Sequence, residues 1–546
     1  MRPYQGWQGV AVDNGAETDV RLPVPVSPYG PLDALAEQVH ALTQTSRAQE
    51  ALAVLEVYEP LARAFGDDKT VGFLLQARMF AYVNLGRLQE AVAAGERLLR
   101  HNESAGSVIG VAKALADLAR AHLFADQISE AMQCLARAGL LLEETSVRNE
   151  RYVASLGSLM GSAINAELYE TSHAAYHQIL ELWTATDRPE SFAIYDLIHA
   201  EMLLEWGLRL DQLGDHAAAR ARLRTAAELF ARWCDVPTGR DITAETLSVS
   251  APYAMTLAKL GEVDWTLDLA ASIVVPLRAA GDWYHARQAH LALGIALRAT
   301  GDLPAARREM VAAKQLGPDS SAGWGLTVGF ELAELNAQEV GEDATRDLRA
   351  MIHDQARQLW RRRLQRVAML RQARQREEQE QARQRAEVAS LHDPLTGLAN
   401  RRRFDQVMTE LDTGERAVPT VLLIVDVDQF KAINDTYSHS VGDQVLREIA
   451  TILRANCRGD DIPVRYAGDE FVVFLHTDVN GARRTAERIR AAVRDADLRH
   501  LAAGLRVSVS IGAAALRTGV TAHDLFNAAD ANLYRAKRGG RDRVAT

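Results

Sequence analysis

The sequence predicts a multidomain protein with an N-terminal all-α helical-hairpin solenoid, a long linker helix and a C-terminal α/β domain. Three observations predict this order. Apolar residues recur at three- and four-residue steps from about residue 32 to 345. Residues 346–390 contain no Gly or Pro and are rich in the helix formers Gln, Arg and Glu. From about residue 391, strand-like apolar runs alternate with helical segments.

Length and composition are those of an ordinary globular protein. At ~100–200 residues per domain, 546 residues make about three domains. With 48% hydrophobic and 25% charged residues, the chain is not globally disordered. The first residues lack the pattern of a secretory signal, and no run approaches the ~18 apolar residues that cross a bilayer. We therefore expect a cytoplasmic protein without a membrane partner.

Charge and cysteine usage exclude further classes. The net charge is −10, and the acidic excess lies before residue 346, whereas residues 346–390 are net basic. A mainly acidic chain argues against nucleic acid as the main partner, because neutralising phosphates supplies most of that affinity. The three cysteines form no C-x-x-C pair, which argues against a zinc site or a disulfide framework.

The N-terminal part is predicted to repeat one helical hairpin. Residues 1–31 hold five of the fifteen prolines and are expected to form an irregular arm. Over residues 32–345, a short turn followed by a small residue five positions later recurs at intervals of about 40 to 47 residues. The clearest copies contain Gly86, Gly214, Gly261 and Gly301, and weaker copies lie at residues 125–127 and near 166–169.

This pattern resembles the tetratricopeptide repeat family in a long-period form. A surface of stacked hairpins could bind a peptide, a protein or a small ligand, which makes residues 32–345 a candidate sensor or interaction domain. Four tryptophans either line such a groove or pack the hairpins together: Trp206, Trp233, Trp265 and Trp283.

Residues 346–390 are predicted to form one long linker helix. A heptad frame places one set of small and apolar side chains on a common seam: Ile352, Ala356, Leu359, Leu370, Ala373 and Leu391. Three charged residues share that seam: Arg366, Glu380 and Glu387. Two interpretations stay open, a weak coiled coil in a dimer and a solvated helical spacer.

Residues 391–546 are predicted to form the α/β domain. We expect a buried strand over 421–425, a helix over 430–456, a β-hairpin over 464–475, a helix over 483–496, a strand over 505–516 and a helix over 521–538. Asp426 and Asp428 follow the first strand and share one face, and Asp469 and Glu470 lie at the hairpin tip. If these strands pair, carboxylates from separate elements could hold Mg²⁺, although surface acid pairs are also common.

Five motifs in this domain resemble those of GGDEF-domain diguanylate cyclases. They are residues 393–401 (DPLTGLANR), 426–435 (DVDQFKAIND), 439–443 (HSVGD), 465–471 (RYAGDEF) and 534–541 (YRAKRGGR). The resemblance implies a palm-like fold of the nucleotide cyclase type. It also implies condensation of two GTP molecules into cyclic di-GMP and two pyrophosphates. Each chain then supplies one GTP half-site, so we expect a homodimer.

The resemblance also implies roles for individual residues. Asp426, the main-chain carbonyl of Val427, and Asp469 would hold Mg²⁺, for which Mn²⁺ could substitute. Asp469 would accept the proton of the 3′-hydroxyl, with Glu470 beside it. Side chains implied to contact GTP through the guanine or the phosphates are Lys431, Asn434, His439, Asp443, Lys537 and Arg541. From the residues alone, Asn434 could instead brace a helix and Asp443 could cap one.

Two positions depart from the family pattern, and one further motif resembles a regulatory site of the family. Ala467 stands where the family usually has the first of two glycines, and Ser438 replaces a usual glycine before His439. Arg458 and Asp461 resemble the R-x-x-D site at which the family binds cyclic di-GMP as a feedback inhibitor. The alternatives are a catalytically inactive module that binds cyclic di-GMP or GTP within a repeat-scaffold signalling protein, and a repeat scaffold whose C-terminal domain is vestigial.

Overall fold

The structure is a computed structural model that describes most of the chain, in residues 33–44, 47–186, 193–234, 244–316, 322–413, 420–517 and 519–546. The arm predicted over residues 1–31 lies outside the described residues. The described chain forms two compact units, divided between Glu377 and Glu378. None of its described helices combines the length and apolar character that crossing a bilayer requires.

The first unit is helical. Its helices are α1 (Asp33–Gln44), α2 (Ala48–Ala64), α3 (Asp68–Asn84), α4 (Leu88–Ser104), α5 (Val108–Phe124), α6 (Ile128–Glu144), α7 (Glu150–Asn165), α8 (Tyr169–Thr186), α9 (Ala193–Gln212), α10 (His216–Trp233), α11 (Ala244–Leu260), α12 (Val263–Ala279), α13 (Trp283–Thr300), α14 (Leu303–Gln315), α15 (Ala322–Val340) and the first part of α16 (Glu342–Ser390). Most of them pack against the next helix in sequence.

The predicted repeat turns connect these helices. Gly214 and Gly301 have φ values of 87° and 88°, a conformation that glycine adopts without steric cost. The carboxylate of Asp302 then caps α14 by accepting a hydrogen bond from the main chain of residue 305 (3.0 Å). At the weaker copies, Asp126 and Glu167 take the same left-handed conformation without being glycine. Helical hairpins are therefore present, whereas their continuation into one solenoid stays a prediction.

The four tryptophans divide into two pairs. Trp206 is buried and stacks on Tyr169 with ring centroids 5.6 Å apart. The indole N–H of Trp233 donates to the buried carboxylate of Asp196 (3.0 Å). Trp265 and Trp283 are exposed, at 61% and 52% of their surface. The first pair therefore packs helices together, whereas the second pair is largely exposed to solvent.

The first part of α16 packs along the helical unit. Ile352 and Ala356 are buried in a cluster with Leu326 and Ala333 of α15. Further along, partly buried apolar side chains of α16 pack against the core of α5–α11: Trp360, Val367, Met369, Leu370 and Ala373. The apolar seam predicted for a coiled coil is therefore covered, up to residue 373, by the protein's own helices.

Arginines in this part of α16 pair with acids of the helical unit. The Arg363 side chain is only 3% exposed, donates from Nε to the main-chain oxygen of Glu167 (2.9 Å) and pairs with Glu170. Arg366 pairs with Glu167, and Arg374 donates from Nη1 to Glu143 (2.9 Å). The charge that made Arg366 unsuitable for a dimer seam is thus compensated within the unit. Over residues 352–374 the structure differs from both the coiled coil and the solvated spacer.

The second unit contains a five-stranded mixed sheet. Its elements are α17 (Arg401–Thr413), β1 (Val421–Val427), α18 (Phe430–Tyr437), α19 (His439–Asn456), β2 (Ile462–Ala467), β3 (Glu470–Leu475), α20 (Val479–Arg494), β4 (Val509–Ala515), α21 (Ala522–Arg538) and β5 (Val544–Ala545). The strand order is β2-β3-β1-β4-β5, with all neighbours antiparallel except β4 and β5.

Strand β1 is buried on both faces, which explains its continuous apolar sequence. Leu423 and Val425 contribute to the core shared with α18, α19 and α20. Leu422 and Ile424 contribute to the opposite core, shared with α17 and α21. The sheet therefore has helices on both faces, and β1 lies at its centre.

Two predicted elements have different bounds in the structure. The helix predicted over 430–456 is interrupted at Ser438, whose φ of 116° and ψ of 159° are not helical. This conformation strongly favours glycine and costs a serine about 1–3 kcal/mol. Of the strand predicted over 505–516, only β4 (Val509–Ala515) is a strand in the structure. Leu505 and Val507, which precede it, are nevertheless buried.

We predict that Gly512→Ala destabilises the second unit. An added Cβ at this position of β4 would lie 2.2 Å from the main-chain oxygen of Ala529 and 2.2 Å from the main-chain nitrogen of Leu533, both in α21. Because backbone atoms cannot rotate away, we expect a loss of about 2 kcal/mol in unfolding free energy, measured by urea denaturation. Gly459→Ala is the matched control, since a Cβ there meets nothing within 4 Å. Equal stability of both variants would contradict this packing.

Candidate functional site

Strand pairing brings the two acidic pairs of the sequence to one edge of the sheet. In the antiparallel register of β1 and β3, Asp426 lies opposite Glu470. The hairpin tip continues this contact, because the main-chain N–H of Val427 donates to the main-chain oxygen of Asp469 (3.3 Å). The carboxylates of Asp426, Asp469 and Glu470, which the sequence places on two separate segments, therefore belong to one cluster, here called the acidic cluster.

A lysine partly compensates the acidic cluster. The ammonium group of Lys537 in α21 lies 2.7 Å from Oδ2 of Asp426, whose side chain is 11% exposed. Burial raises the pKa of Asp426 although Lys537 acts against it, and the charges of Asp469 and Asp428 add to the rise. Burial also raises the pKa of Glu470, with a further contribution from Asp426. One lysine therefore does not offset the effect of burial and of the neighbouring carboxylates on the pKa of Asp426.

The donor set fits a hard divalent cation. Mg²⁺ prefers oxygen ligands and is commonly bound by one or two carboxylates together with substrate phosphates. Asp426, Asp469 and the carbonyl of Val427 offer only oxygen, and their uncompensated charge favours a cation. Within the part of the chain that the structure describes, no three His, Cys, Asp or Glu side chains are already arranged to hold a metal ion.

The first motif of the domain fixes the hairpin tip. Arg465 donates from Nε and Nη2 to the main-chain oxygen of Gly468 (3.0 and 2.9 Å) and from Nη1 to the carboxylate of Asp393 (3.1 Å). Burial opposes ionisation of Asp393, but hydrogen bonds from Thr396 and Arg465 outweigh it and lower the pKa of that carboxyl. Residues 393–401 therefore support the tip from a distant part of the sequence.

The two tip residues before the acid pair have different requirements. Gly468 has a φ of 47°, in the region that favours glycine. Ala467 is exposed and is absent from the positive-φ residues of the described chain, so its methyl group causes no backbone strain. The departure from the family pattern at Ala467 is therefore compatible with the local backbone.

The residues implied to contact guanine lie on α18 and α19. Asn434 is half-buried beside Gly442, where an added Cβ would lie 1.9 Å from Asn434 Oδ1. That oxygen is buried and accepts no hydrogen bond, which argues against a bracing role. His439 and Asp443 are exposed. Since α19 begins at His439, Asp443 lies inside the helix and does not cap it.

The three basic residues implied to face phosphate are in different surroundings. The side chain of Lys431 on α18 is exposed. Lys537 is paired with Asp426. Arg541 is exposed and follows Gly540 in a turn with a φ of 62°. The structure therefore brings Lys537 to the acidic cluster itself, a contact that the motif alone does not specify.

Sequence reasoning missed the partners of Asp428. Its buried carboxylate accepts hydrogen bonds from the hydroxyl groups of Ser508 and Ser510 (2.7 Å each) and from the main-chain N–H of Asp542 (3.1 Å). The signal was present in the sequence, because the two serines alternate with apolar residues at the start of a buried strand. Asp428 is thus occupied and differs in role from Asp426.

The R-x-x-D motif lies in the loop between α19 and β2. Asp461 accepts hydrogen bonds from the main-chain N–H groups of Arg458 (2.8 Å) and His476 (3.0 Å), so it closes this loop and attaches it to the end of β3. The side chain of Arg458 is exposed. Arg458 and Asp461 are therefore neighbours, and Asp461 also holds the loop in place.

Sequence comparisons agree with the motifs. Residues 390–543 match the family model described as "Diguanylate cyclase, GGDEF domain". The response regulator PleD of Caulobacter vibrioides is 42% identical over 160 residues, which cover 28% of this chain and 35% of PleD. The diguanylate cyclase DgcM of Escherichia coli K12 is 39% identical over 170 residues, which cover 31% of this chain and 41% of DgcM. The chain spans well under half the length of these curated relatives.

Two solved structures of GGDEF domains are similar in sequence to part of this chain. The coiled coil and GGDEF domain of DgcB from Caulobacter crescentus, in complex with c-di-GMP, is 33% identical with a TM-score of 0.29, covering 32% of this chain and 96% of that one. The active GGEEF domain of a diguanylate cyclase from Vibrio cholerae is 27% identical with a TM-score of 0.25, covering 27% and 96%.

Proposed function

Residues 390–543 form a GGDEF domain of the diguanylate cyclase family, and we propose that this domain condenses two GTP molecules into cyclic di-GMP and two pyrophosphates. The observation that carries the proposal is the acidic cluster, in which Asp426 lies opposite Glu470 with Asp469 at the adjoining hairpin tip. Its burial, its raised carboxyl pKa values and its single lysine favour a bound cation and a polyanionic substrate.

The chain's own residues then have distinct tasks. Asp443 accepts hydrogen bonds from N1 and N2 of guanine, a donor pair that adenine lacks, and Asn434 contributes its unpaired oxygen. Lys431 and Arg541 bind the triphosphate as cations. Asp469 accepts the proton of the attacking 3′-hydroxyl, assisted by Glu470. A divalent cation held by Asp426, Asp469 and the Val427 carbonyl supplies Lewis acidity at the α-phosphate when bound.

We assign two partners to Lys537: the carboxylate of Asp426 and the phosphates of GTP. In the structure it neutralises Asp426. If a cation were bound by the acidic cluster, it would take over the neutralisation of Asp426, and the compact ammonium group of Lys537 would be free to bind a phosphate. The scarcity of lysine in the sequence agrees with this, since Lys537 is one of only two beyond residue 345.

The active species in this proposal is a homodimer. One domain binds one GTP and supplies one 3′-hydroxyl, whereas the product contains two phosphodiester bonds. Two GTP-loaded half-sites must therefore face each other, and a symmetric pair of chains provides them.

We predict that Asp469→Asn lowers cyclic di-GMP synthesis by at least ~100-fold, because it removes both a cation ligand and the proton acceptor. Product formed from GTP and Mg²⁺ is measured by mass spectrometry, with circular dichroism as the check on folding. Asp405→Asn, at an exposed position of α17, is the matched control.

Synthesis by Asp469→Asn at the wild-type rate and with the wild-type metal dependence would show that the assignment is wrong. A wild-type protein that binds GTP or cyclic di-GMP without forming product would instead favour the receptor function. The strained Ser438, between the guanine-reading helices α18 and α19, is the observation that favours this second candidate.

We further propose that the helical unit regulates the GGDEF domain through α16. Within the first unit, residues 352–374 of α16 pack on the neighbouring helices. Within the second unit, the side chain of Asn400 donates to the main-chain oxygen of Ser390 (2.7 Å), and its main-chain N–H donates to Leu391 (2.8 Å). A helix attached at both ends can transmit a rotation, which a loose tether cannot.

Insertions after Arg374 test this transmission. A four-residue insertion at Gln375 rotates the following residues by roughly 40° and leaves the docked contacts intact, whereas seven residues nearly preserve the phase. We predict that the four-residue insertion changes the rate of synthesis several times more than the seven-residue insertion does. Similar effects of both on initial rates would reject a transmitting role for α16.

Feedback by product is the remaining part of the proposal. Arg458→Ala removes an exposed guanidinium that would bind guanine or phosphate, and should weaken inhibition by cyclic di-GMP about 10- to 150-fold. Because Asp461 closes the loop, Arg458→Ala is the cleaner variant. Initial rates are measured against added cyclic di-GMP, with Arg484→Ala on α20 as control. A wild-type enzyme that is insensitive to product, or a variant equally sensitive to it, would exclude this site.

A further inference from the structure

Three donors of the protein bind the buried carboxylate of Asp428, and both of its oxygens accept. Oδ1 accepts from the Ser510 hydroxyl, and Oδ2 accepts from the Ser508 hydroxyl and from the main-chain N–H of Asp542. Its own main-chain N–H donates to the main-chain oxygen of Ser508 (3.0 Å). A buried carboxylate with three donors is satisfied without a cation.

The segment that Asp428 holds is a strained turn. Gly540, Arg541 and Asp542 have φ values of 116°, 62° and 44°. Two consecutive non-glycine residues in the left-handed region are costly and persist only where the surroundings hold them in place. The turn also carries Arg541, which we assign to the triphosphate of GTP.

Two anchors hold Asp542 from different elements. Its main-chain N–H is bound by Asp428 (3.1 Å), at the end of β1. Its carboxylate accepts from Nη1 of Arg490 on α20 (2.7 Å), and Arg494 lies 3.9 Å away. After the turn, the main-chain oxygen of Arg543 accepts from Ile511 of β4 (2.9 Å), which begins the pairing of β5.

We propose that Asp428 is a positioning residue for GTP, acting through Arg541. By accepting from Asp542, it connects the strand end that carries Asp426 to the turn that carries Arg541, and so fixes the distance between the acidic cluster and a phosphate-binding cation. This inference rests on the proposed function of the domain. It assigns the second acid of the D-x-D motif to hydrogen-bond acceptance and the first to the cation.

Replacing Asp428 by Asn distinguishes a hydrogen-bond acceptor from a cation ligand, because the amide still accepts hydrogen bonds but carries no charge. In Asp428→Asn the amide oxygen can accept from Ser508 and Asp542, while the amide nitrogen donates to the Ser510 hydroxyl, which is able to accept. Asp428→Ala leaves all three donors unpaired. A positioning role therefore predicts that Asn rescues what Ala loses, whereas a cation ligand would be lost in both.

The first readout is amide hydrogen exchange of the C-terminal segment without nucleotide. We expect the Asp542 amide to exchange about 10-fold faster in Asp428→Ala, the equivalent of ~1.4 kcal/mol, and to stay near the wild-type rate in Asp428→Asn. Asp405→Asn should change nothing. Unchanged exchange in Asp428→Ala, or acceleration in Asp428→Asn as large as in Ala, would overturn the anchoring.

The second readout is the affinity for GTP, measured with a non-hydrolysable analogue. We expect about 10-fold weaker binding in Asp428→Ala and a change of less than about threefold in Asp428→Asn. Added to Arg541→Ala, Asp428→Ala should cause no further loss, because both act through one contact. Additive losses, or equal losses in the Asn and Ala variants, would overturn the proposal. If Asp428→Ala does not fold, the Asn variant alone decides.

The two readouts separate this inference from the proposed function. If the wild-type protein binds no GTP analogue, the proposed function fails and the positioning of GTP fails with it, while hydrogen exchange still decides the anchoring. If the wild-type protein binds the analogue and Arg541→Ala weakens it, but Asp428→Ala does not, only the inference fails.

Discussion

The antiparallel pairing of β1 with β3 determines the chemistry of the C-terminal unit. It places Asp426 opposite Glu470 and next to Asp469 in a partly buried position. Several carboxyl groups cannot all be ionised there unless a positive charge compensates them. The surrounding structure follows from this constraint. Lys537 reaches Asp426 because Gly512 lets α21 approach β4 closely. Arg465 fixes the hairpin tip by donating to the main-chain oxygen of Gly468.

The D-x-D motif separates two functions that its spacing alone does not distinguish. Both acids are buried to a similar degree, but Asp426 has an ammonium group as its partner and Asp428 has hydroxyl and amide donors. A carboxylate paired with a side-chain ammonium group can exchange that partner for a metal ion. A carboxylate surrounded by fixed donors serves to hold the backbone that carries them.

The sequence predicts the central strand and the acids that follow it, because a continuous apolar run and a short motif are local properties. It predicts α16 as a helix but not its partner. Its heptad frame is equally suited to a second copy and to the protein's own helices, and only the tertiary structure shows that Arg363 and Arg366 face Glu170 and Glu167. The break at Ser438 was also not predicted, because serine ordinarily avoids that backbone conformation, although the usual glycine at this position was a signal for it.

We expect a divalent cation to complete the acidic cluster. The most direct measurement is Mn²⁺ binding by electron paramagnetic resonance, at saturating GTP analogue and several pH values. Because burial raises the pKa of Asp426 and Glu470, binding should release protons, and affinity should increase as the pH rises. Asp426→Asn should abolish this binding and Asp405→Asn should preserve it. Affinity that is independent of pH and unaffected by Asp426→Asn would show that the cation is bound elsewhere.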